Sequence, residues 1–108
     1  MTVPSVTVGE LPAEATLLDV REPDEWAAGH APGALHIPMG ELMGRLDELP
    51  ADAPLYVVCR SGGRSARVTA YLNGNGWDAK NVDGGMNSWH AAGRDLVGER
   101  PGVEPQVI

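Results

Sequence analysis

A chain of 108 residues is long enough for one domain around one hydrophobic core and leaves no room for a second. Its net charge of −7 argues against a nucleic-acid surface, which needs basic patches to meet phosphates. The single cysteine, Cys59, excludes an internal disulfide and a structural zinc site built on cysteines. An apolar fraction of 43% is ordinary for a globular protein, and no apolar run approaches the roughly 18 residues that cross a bilayer. Residues 1–9 lack the basic start and hydrophobic stretch of a signal peptide, so the expected location is cytoplasmic, with no membrane partner.

An early strand is placed near residues 6–8. Residues 16–20 (TLLDV) form a short apolar run ending in charge, the pattern of a buried strand. A helix follows, with Pro23 in its first turn and Glu22, Asp24 and Glu25 near the positive end of its dipole; Gly29 stops it. Residues 34–37 (ALHI), bracketed by Pro32-Gly33 and Pro38, read as another strand. Leu42, Leu46 and Leu49 recur at helical spacing, predicting a helix over residues 39–49 that Pro50 ends.

Residues 54–58 (PLYVV) give the clearest strand, apolar throughout and therefore suited to the middle of a parallel sheet, and they run directly into Cys59. Beyond the loop, Val68, Tyr71 and Leu72 make one helical stripe, stopped at Asn73-Gly74. A strand over residues 78–82, a break at Gly84-Gly85 and a short helix over residues 86–92 complete the pattern. The tail, residues 94–108, shows no periodicity and is expected to pack back or stay loose. Five strands alternating with helices imply one α/β domain with a mainly parallel five-stranded sheet and helices on both faces. Ligands in such sheets bind beyond the carboxyl ends of the strands, where Cys59 stands.

Positive charge gathers at that point. Arg60, Arg64 and Arg67 follow the only cysteine, and no acidic residue lies between Val57 and Tyr71. Because the segment Cys59-Arg60-Ser61-Gly62-Gly63-Arg64-Ser65 joins a buried strand to a helix start, several backbone N–H groups there lack a helical partner. The two glycines let these groups turn inward, forming an anion cradle at the positive end of a helix dipole. Such a field favours thiolate over thiol and lowers a cysteine pKa from its ordinary ~8.5. Arg60 and Arg64 would dock an anionic substrate, and Ser61 and Ser65 offer hydroxyl donors, Ser65 also serving as a helix cap. A cysteine after a Val-Val strand is by itself often plain packing; the glycine pair, the arginines and the following helix favour chemistry.

Other polar residues read as structural. Asp19 and Arg21, at a strand end, are expected to pair with nearby charges, with Glu25 as a partner for Arg21. His30 and His36, set among Gly29, Pro32, Gly33 and Pro38, read as turn and packing residues, and His90 as surface. No cysteine–histidine pair has the short spacing of a zinc site, so no metal is expected. Trp26, Trp77 and Trp89 are assigned to packing.

The loop 59–65 resembles the active-site loop of rhodanese-like domains, whose first residue is the sulfur-accepting cysteine. Leu18-Asp19-Val20-Arg21 with Glu25-Trp26, the stretch Gly29-His30-Ala31-Pro32-Gly33-Ala34-Leu35-His36-Ile37-Pro38, and Asp83-Gly84-Gly85-Met86 with Trp89 and Gly93 are similar to other signatures of that family, in the same order. The resemblance covers about residues 6–93. It implies that Cys59 attacks the outer sulfur of thiosulfate or a persulfide donor and carries it as a persulfide to cyanide or a thiol. It also implies substrate contacts from Arg60, Ser61, Gly62, Gly63, Arg64 and Ser65, and no cofactor.

Three rivals stand beside that reading. A cysteine phosphatase or arsenate reductase uses a similar cradle, but the usual phosphatase signature has five residues between cysteine and arginine, against four between Cys59 and Arg64. A non-catalytic rhodanese-like module typically lacks the cysteine or an intact loop. A relay carrier fed by a protein partner would share the chemistry at Cys59. The chain is expected to act alone, as a monomeric thiosulfate-type sulfurtransferase.

Overall fold

Five short strands pair side by side in a computed structural model that describes residues 3–108. In chain order they are β1 (Ser5–Val6), β2 (Thr16–Asp19), β3 (Leu35–His36), β4 (Leu55–Val58) and β5 (Ala79–Val82). The sheet order is β1-β5-β4-β2-β3, and every pairing within it is parallel. Among the described residues three α-helices accompany the strands: α1 (Pro23–Ala28), α2 (Gly63–Asn73) and α3 (Gly85–Ala91). Among the described residues no helix is long and apolar enough to cross a membrane.

Strand alternation divides the core in two. Leu18 of β2 and Leu55 and Val57 of β4 face one side, where they join Val68 and Leu72 of α2 with Leu42 and Leu49. Their neighbours Leu17 and Val58 face the other side, with Met86 and Trp89 of α3, Val8 and Leu11. A sheet covered on both faces needs apolar residues at successive positions, which is why β2 and β4 read as continuous runs. Cys59 continues the same alternation. It belongs to the α2 side, is 1% exposed, and lies one residue past the end of β4.

Two segments depart from the sequence expectation. Residues 39–49 do not form one helix; they make two 3-10 turns, Met39–Gly44 and Leu46–Glu48, broken at Arg45. Gly40 and Gly44 each disfavour an α-helix by about 1 kcal/mol, while burial of Leu42 and Leu49 survives the change of winding. Arg45 supports the turns through Glu41 at 3.0 Å and Glu48 at 2.7 Å. The early strand ends at Val6, and Val8 instead opens a 3-10 turn to Glu10, whose carboxylate accepts from the Thr7 N–H at 2.8 Å.

The tail packs back. Val97 and His30 exchange two backbone hydrogen bonds of 2.9 Å, the Glu99 N–H donates to Ala27 O and the Gln106 N–H to Ala28 O. Its lack of periodicity follows from this geometry, because an irregular strap is held by backbone groups and needs no repeating apolar face.

Candidate active site

The loop after β4 is shaped by two helix starts. Gly62, the residue before α2, has φ of 107°, a left-handed conformation that glycine adopts without steric cost. This turn aims the Gly62 N–H at the Cys59 sulfur, 3.1 Å away. The first bond of α2 runs from the Ala66 N–H to Gly62 O at 3.1 Å, leaving the N–H groups of Gly63, Arg64 and Ser65 outside the helical ladder. Those of Ser65 and Ser61 face the same sulfur as Gly62.

The second helix start grips the loop from behind. Met86 and Asn87, in the first turn of α3, donate to Cys59 O at 2.8 Å and Arg60 O at 2.9 Å. Gly85 makes this approach possible: a Cβ there would sit on the Cys59 carbonyl oxygen and 2.9 Å from the Arg60 carbonyl carbon. Gly84-Gly85 therefore borders the site and is more than a turn after β5.

The hydroxyl of Ser65, on the first turn of α2, lies 3.3 Å from the sulfur. Burial pushes the Cys59 thiol up, yet hydrogen bonds from the Ser65 hydroxyl and from the N–H groups of Ser65, Gly62 and Ser61 outweigh it. The net direction is down, toward thiolate. Ser65 itself is fully buried and touches Asn81 of β5, whose Nδ2 donates to Gly62 O at 3.3 Å.

The two arginines of the loop behave differently. Arg64 Nη1 and Nη2 reach Glu25 of α1 at 2.8 and 2.9 Å in a bidentate pair. Arg60 is exposed and makes no ion pair among the described residues. Ser61 and Gly63 are exposed at the mouth of the loop.

The partner expected for Arg21 is also different. Its Nε and Nη2 bind Asp19 at 2.9 and 2.7 Å and Nη2 also binds Gly29 O at 2.8 Å, all fully buried, while Glu25 turns to Arg64. Chain geometry explains the exchange. Arg21 folds back two residues onto Asp19, inside the sheet end, whereas Glu25 faces across to α2. Trp26 is stacked between His30 and His36, ring centroids 3.5 and 4.5 Å away, so both histidines pack. His90 is exposed.

The sequence and the fold of this chain both have relatives among known proteins. The family described as rhodanese-like domain aligns with residues 8–92. This chain belongs to the rhodanese-like domain family. YtwF of Bacillus subtilis is 42% identical over 80 residues, which are 74% of this chain and 78% of that protein. A thiosulfate sulfurtransferase, GlpE of Pseudomonas putida, is 40% identical over 78 residues, 71% of each chain. The crystal structure of a rhodanese-related protein from Thermoplasma volcanium superposes with a TM-score of 0.82 at 33% identity, covering 87% of this chain and 97% of that one.

This rhodanese-like domain brings Cys59, Ser61 and Gly62 of the loop together with Gly63, Arg64 and Ser65 of the first turn of α2, and Arg60 stands at the outer edge. Reading the sequence alone misses two contributors, Glu25 as the tether of Arg64 and Asn81 behind Ser65. Asn81 leaves a trace: it shares a strand face with buried Ala79, an amide at an inward position that demands polar partners.

Proposed function

We propose that the chain is a sulfurtransferase that moves sulfane sulfur from thiosulfate or a persulfide donor to a thiophilic acceptor, cyanide or a thiol, through a persulfide on Cys59. The observation that carries this reading is the sulfur of Cys59 facing the Gly62 N–H and the Ser65 hydroxyl at the start of α2, its thiol shifted toward thiolate despite burial. The family's membership and the name of the Pseudomonas putida relative support the same chemistry.

In the first half-reaction the Cys59 thiolate attacks the outer sulfur of thiosulfate. A new S–S bond forms, the old one breaks, and sulfite leaves with the bonding pair; one negative charge stays on the outer sulfur of the persulfide. The N–H groups of residues 61–65 that lie outside the helical ladder receive that charge, as preorganised donors that need no rearrangement. In the second half-reaction cyanide or a thiolate takes the outer sulfur and restores the Cys59 thiolate, giving ping-pong kinetics.

Arg60, exposed and without a carboxylate partner among the described residues, attracts the anionic donor. Arg64, tied to Glu25, holds the loop's shape and adds positive field near the sulfur. Ser61 stands at the mouth, Gly62 and Gly63 let the backbone curl, and Ser65 serves the sulfur directly.

The test is thiocyanate formation from thiosulfate and cyanide beside Cys59→Ser, with donor-treated protein weighed intact. Turnover and a one-sulfur mass gain, both lost in the variant, are expected. Sulfur loading without turnover points to a protein donor or acceptor; neither signal from folded, reduced protein overturns the proposal.

A further inference from the structure

Ser65 has one hydroxyl proton and two buried acceptors within reach. Its oxygen lies 3.3 Å from the Cys59 sulfur and 2.5 Å from Asn81 Oδ1. A hydroxyl donates once, so the two contacts cannot both be donations from Ser65. Ser65 is fully buried and Asn81 is 5% exposed, so water does not readily replace whichever partner is lost. The backbones are held independently: Thr69 Oγ1 donates to Ser65 O at 2.8 Å, and the Asn81 N–H donates to Pro4 O at 2.8 Å in the β1 pairing. Asn81 Nδ2 is directed to Gly62 O, which fixes the amide with its oxygen toward Ser65.

We propose that Asn81 is a positioning residue that competes with the Cys59 sulfur for the Ser65 proton, so that the hydroxyl changes acceptor as the sulfur is loaded and unloaded. The proposal rests on the reading of Cys59 as the sulfur carrier. In the free enzyme the thiolate is the stronger acceptor and draws the proton, leaving Asn81 Oδ1 without its donor. Leaving a buried acceptor in that condition is costly, and Asn81 sets that cost against the thiolate. In the persulfide the negative charge has moved to the outer sulfur. Cys59 Sγ, now bonded to two neighbours, needs the hydroxyl less, and the proton returns to Asn81. Asn81 thus favours the loaded form over the free thiolate and keeps the resting sulfur a reactive nucleophile.

The competition has a signature that a merely structural residue lacks, because it acts only through Ser65. The rate of iodoacetamide alkylation against pH reports the Cys59 midpoint in the intact chain. Asn81→Ala and the volume-matched Asn81→Leu are expected to lower that midpoint by about half a unit or more, roughly threefold in the thiolate ratio. In a Ser65→Ala background the same substitutions are expected to leave the midpoint in place. No shift, an upward shift, or an equal shift in both backgrounds overturns the proposal. The paired variants keep the test open if one of them fails to fold. Failure of the wild-type chain to gain one sulfur from thiosulfate or an organic persulfide would overturn the carrier reading instead, and the alkylation comparison does not depend on it.

Discussion

Glu25 and Arg64 stand 39 positions apart in the chain, yet their side chains meet in two parallel hydrogen bonds of 2.8 and 2.9 Å that tie α1 to the first turn of α2. The contact fixes the helix whose start forms the sulfur cradle, so a residue far from Cys59 in sequence shapes its surroundings. Arg64 holds the Glu25 carboxyl below the usual carboxylate range, against the opposing effect of burial.

Glu25→Gln keeps the shape and removes the charge. A carboxyl whose pKa is depressed in the folded state contributes stability above its unfolded pKa of ~4.3, and that stability is lost as pH falls through the folded value. Glu25→Gln is therefore expected to be less stable than wild type by about 1 kcal/mol at pH 7, a modest figure because Arg64 is one-third exposed. The difference should vanish in strongly acidic solution. Urea unfolding at both pH values measures it, and sulfur transfer should fall about tenfold as the loop loosens.

Ser65→Ala removes the side-chain donor that best offsets burial at Cys59. With that donor gone, burial gains, and the Cys59 midpoint should rise by about one unit, matching one neutral-to-anion hydrogen bond. The sign follows for activity: the transfer rate at neutral pH drops, and raising the pH recovers part of it. Alkylation and turnover profiles should move together, since both follow the thiolate.

The place of Cys59 between a central strand and a helix start was legible because strand, cysteine, paired glycines and helix follow one another in the chain. Local succession carried all of that, and the alternation of Leu17 and Leu18 or Val57 and Val58 carried the covered sheet. Glu25–Arg64 and Ser65–Asn81 were not legible, because each joins elements whose relative placement exists only after folding. Arg21 shows the same limit: several carboxylates lay nearby in sequence, and only the buried turn selects Asp19 over Glu25. Residues 39–49 misled for another reason. Leucines at helical spacing are also served by two 3-10 turns, which bury Leu42 and Leu49 and leave Leu46 partly buried, so periodicity alone does not distinguish the windings.

Arg60 is the exposed cation at the mouth and the one expected to draw anionic donors. Arg60→Ala should raise the KM for thiosulfate severalfold while leaving kcat and thermal stability near wild type, because the side chain has no ion-pair partner among the described residues to lose. The wild-type KM should rise with ionic strength more steeply than that of the variant. Steady-state kinetics at low and high salt decide between this attraction and a loop-shaping role, which would lower kcat.

Asp19→Ala leaves the Arg21 guanidinium fully buried without its carboxylate. Breaking a buried pair from one side costs about 3–5 kcal/mol, a large share of a small domain's stability. The paired change Asp19→Leu with Arg21→Met should be far milder, since no uncompensated charge remains. Equal losses from the single and the paired changes, measured by denaturant unfolding, would show that packing shape governs this corner and charge does not.

Gly85→Ala tests how α3 holds the loop. Gly85 has φ of 53°, where a Cβ brings strain, and that Cβ would also meet the Cys59 carbonyl oxygen and the Arg60 carbonyl. Neither contact is with a flexible side-chain tip, so the loop itself must move. Movement breaks the donations from Met86 to Cys59 O and from Asn87 to Arg60 O and carries the sulfur away from Gly62 and Ser65. Two effects should appear together: a stability loss of about 2 kcal/mol or more, and a rise of the Cys59 alkylation midpoint toward that of an ordinary thiol. Gly93→Ala is the matched control. It also has a positive φ, 73°, but its Cβ meets nothing within 4 Å, so it should show backbone strain without the change at Cys59. If both variants shift the midpoint alike, the close approach of α3 to the loop is not what places the sulfur.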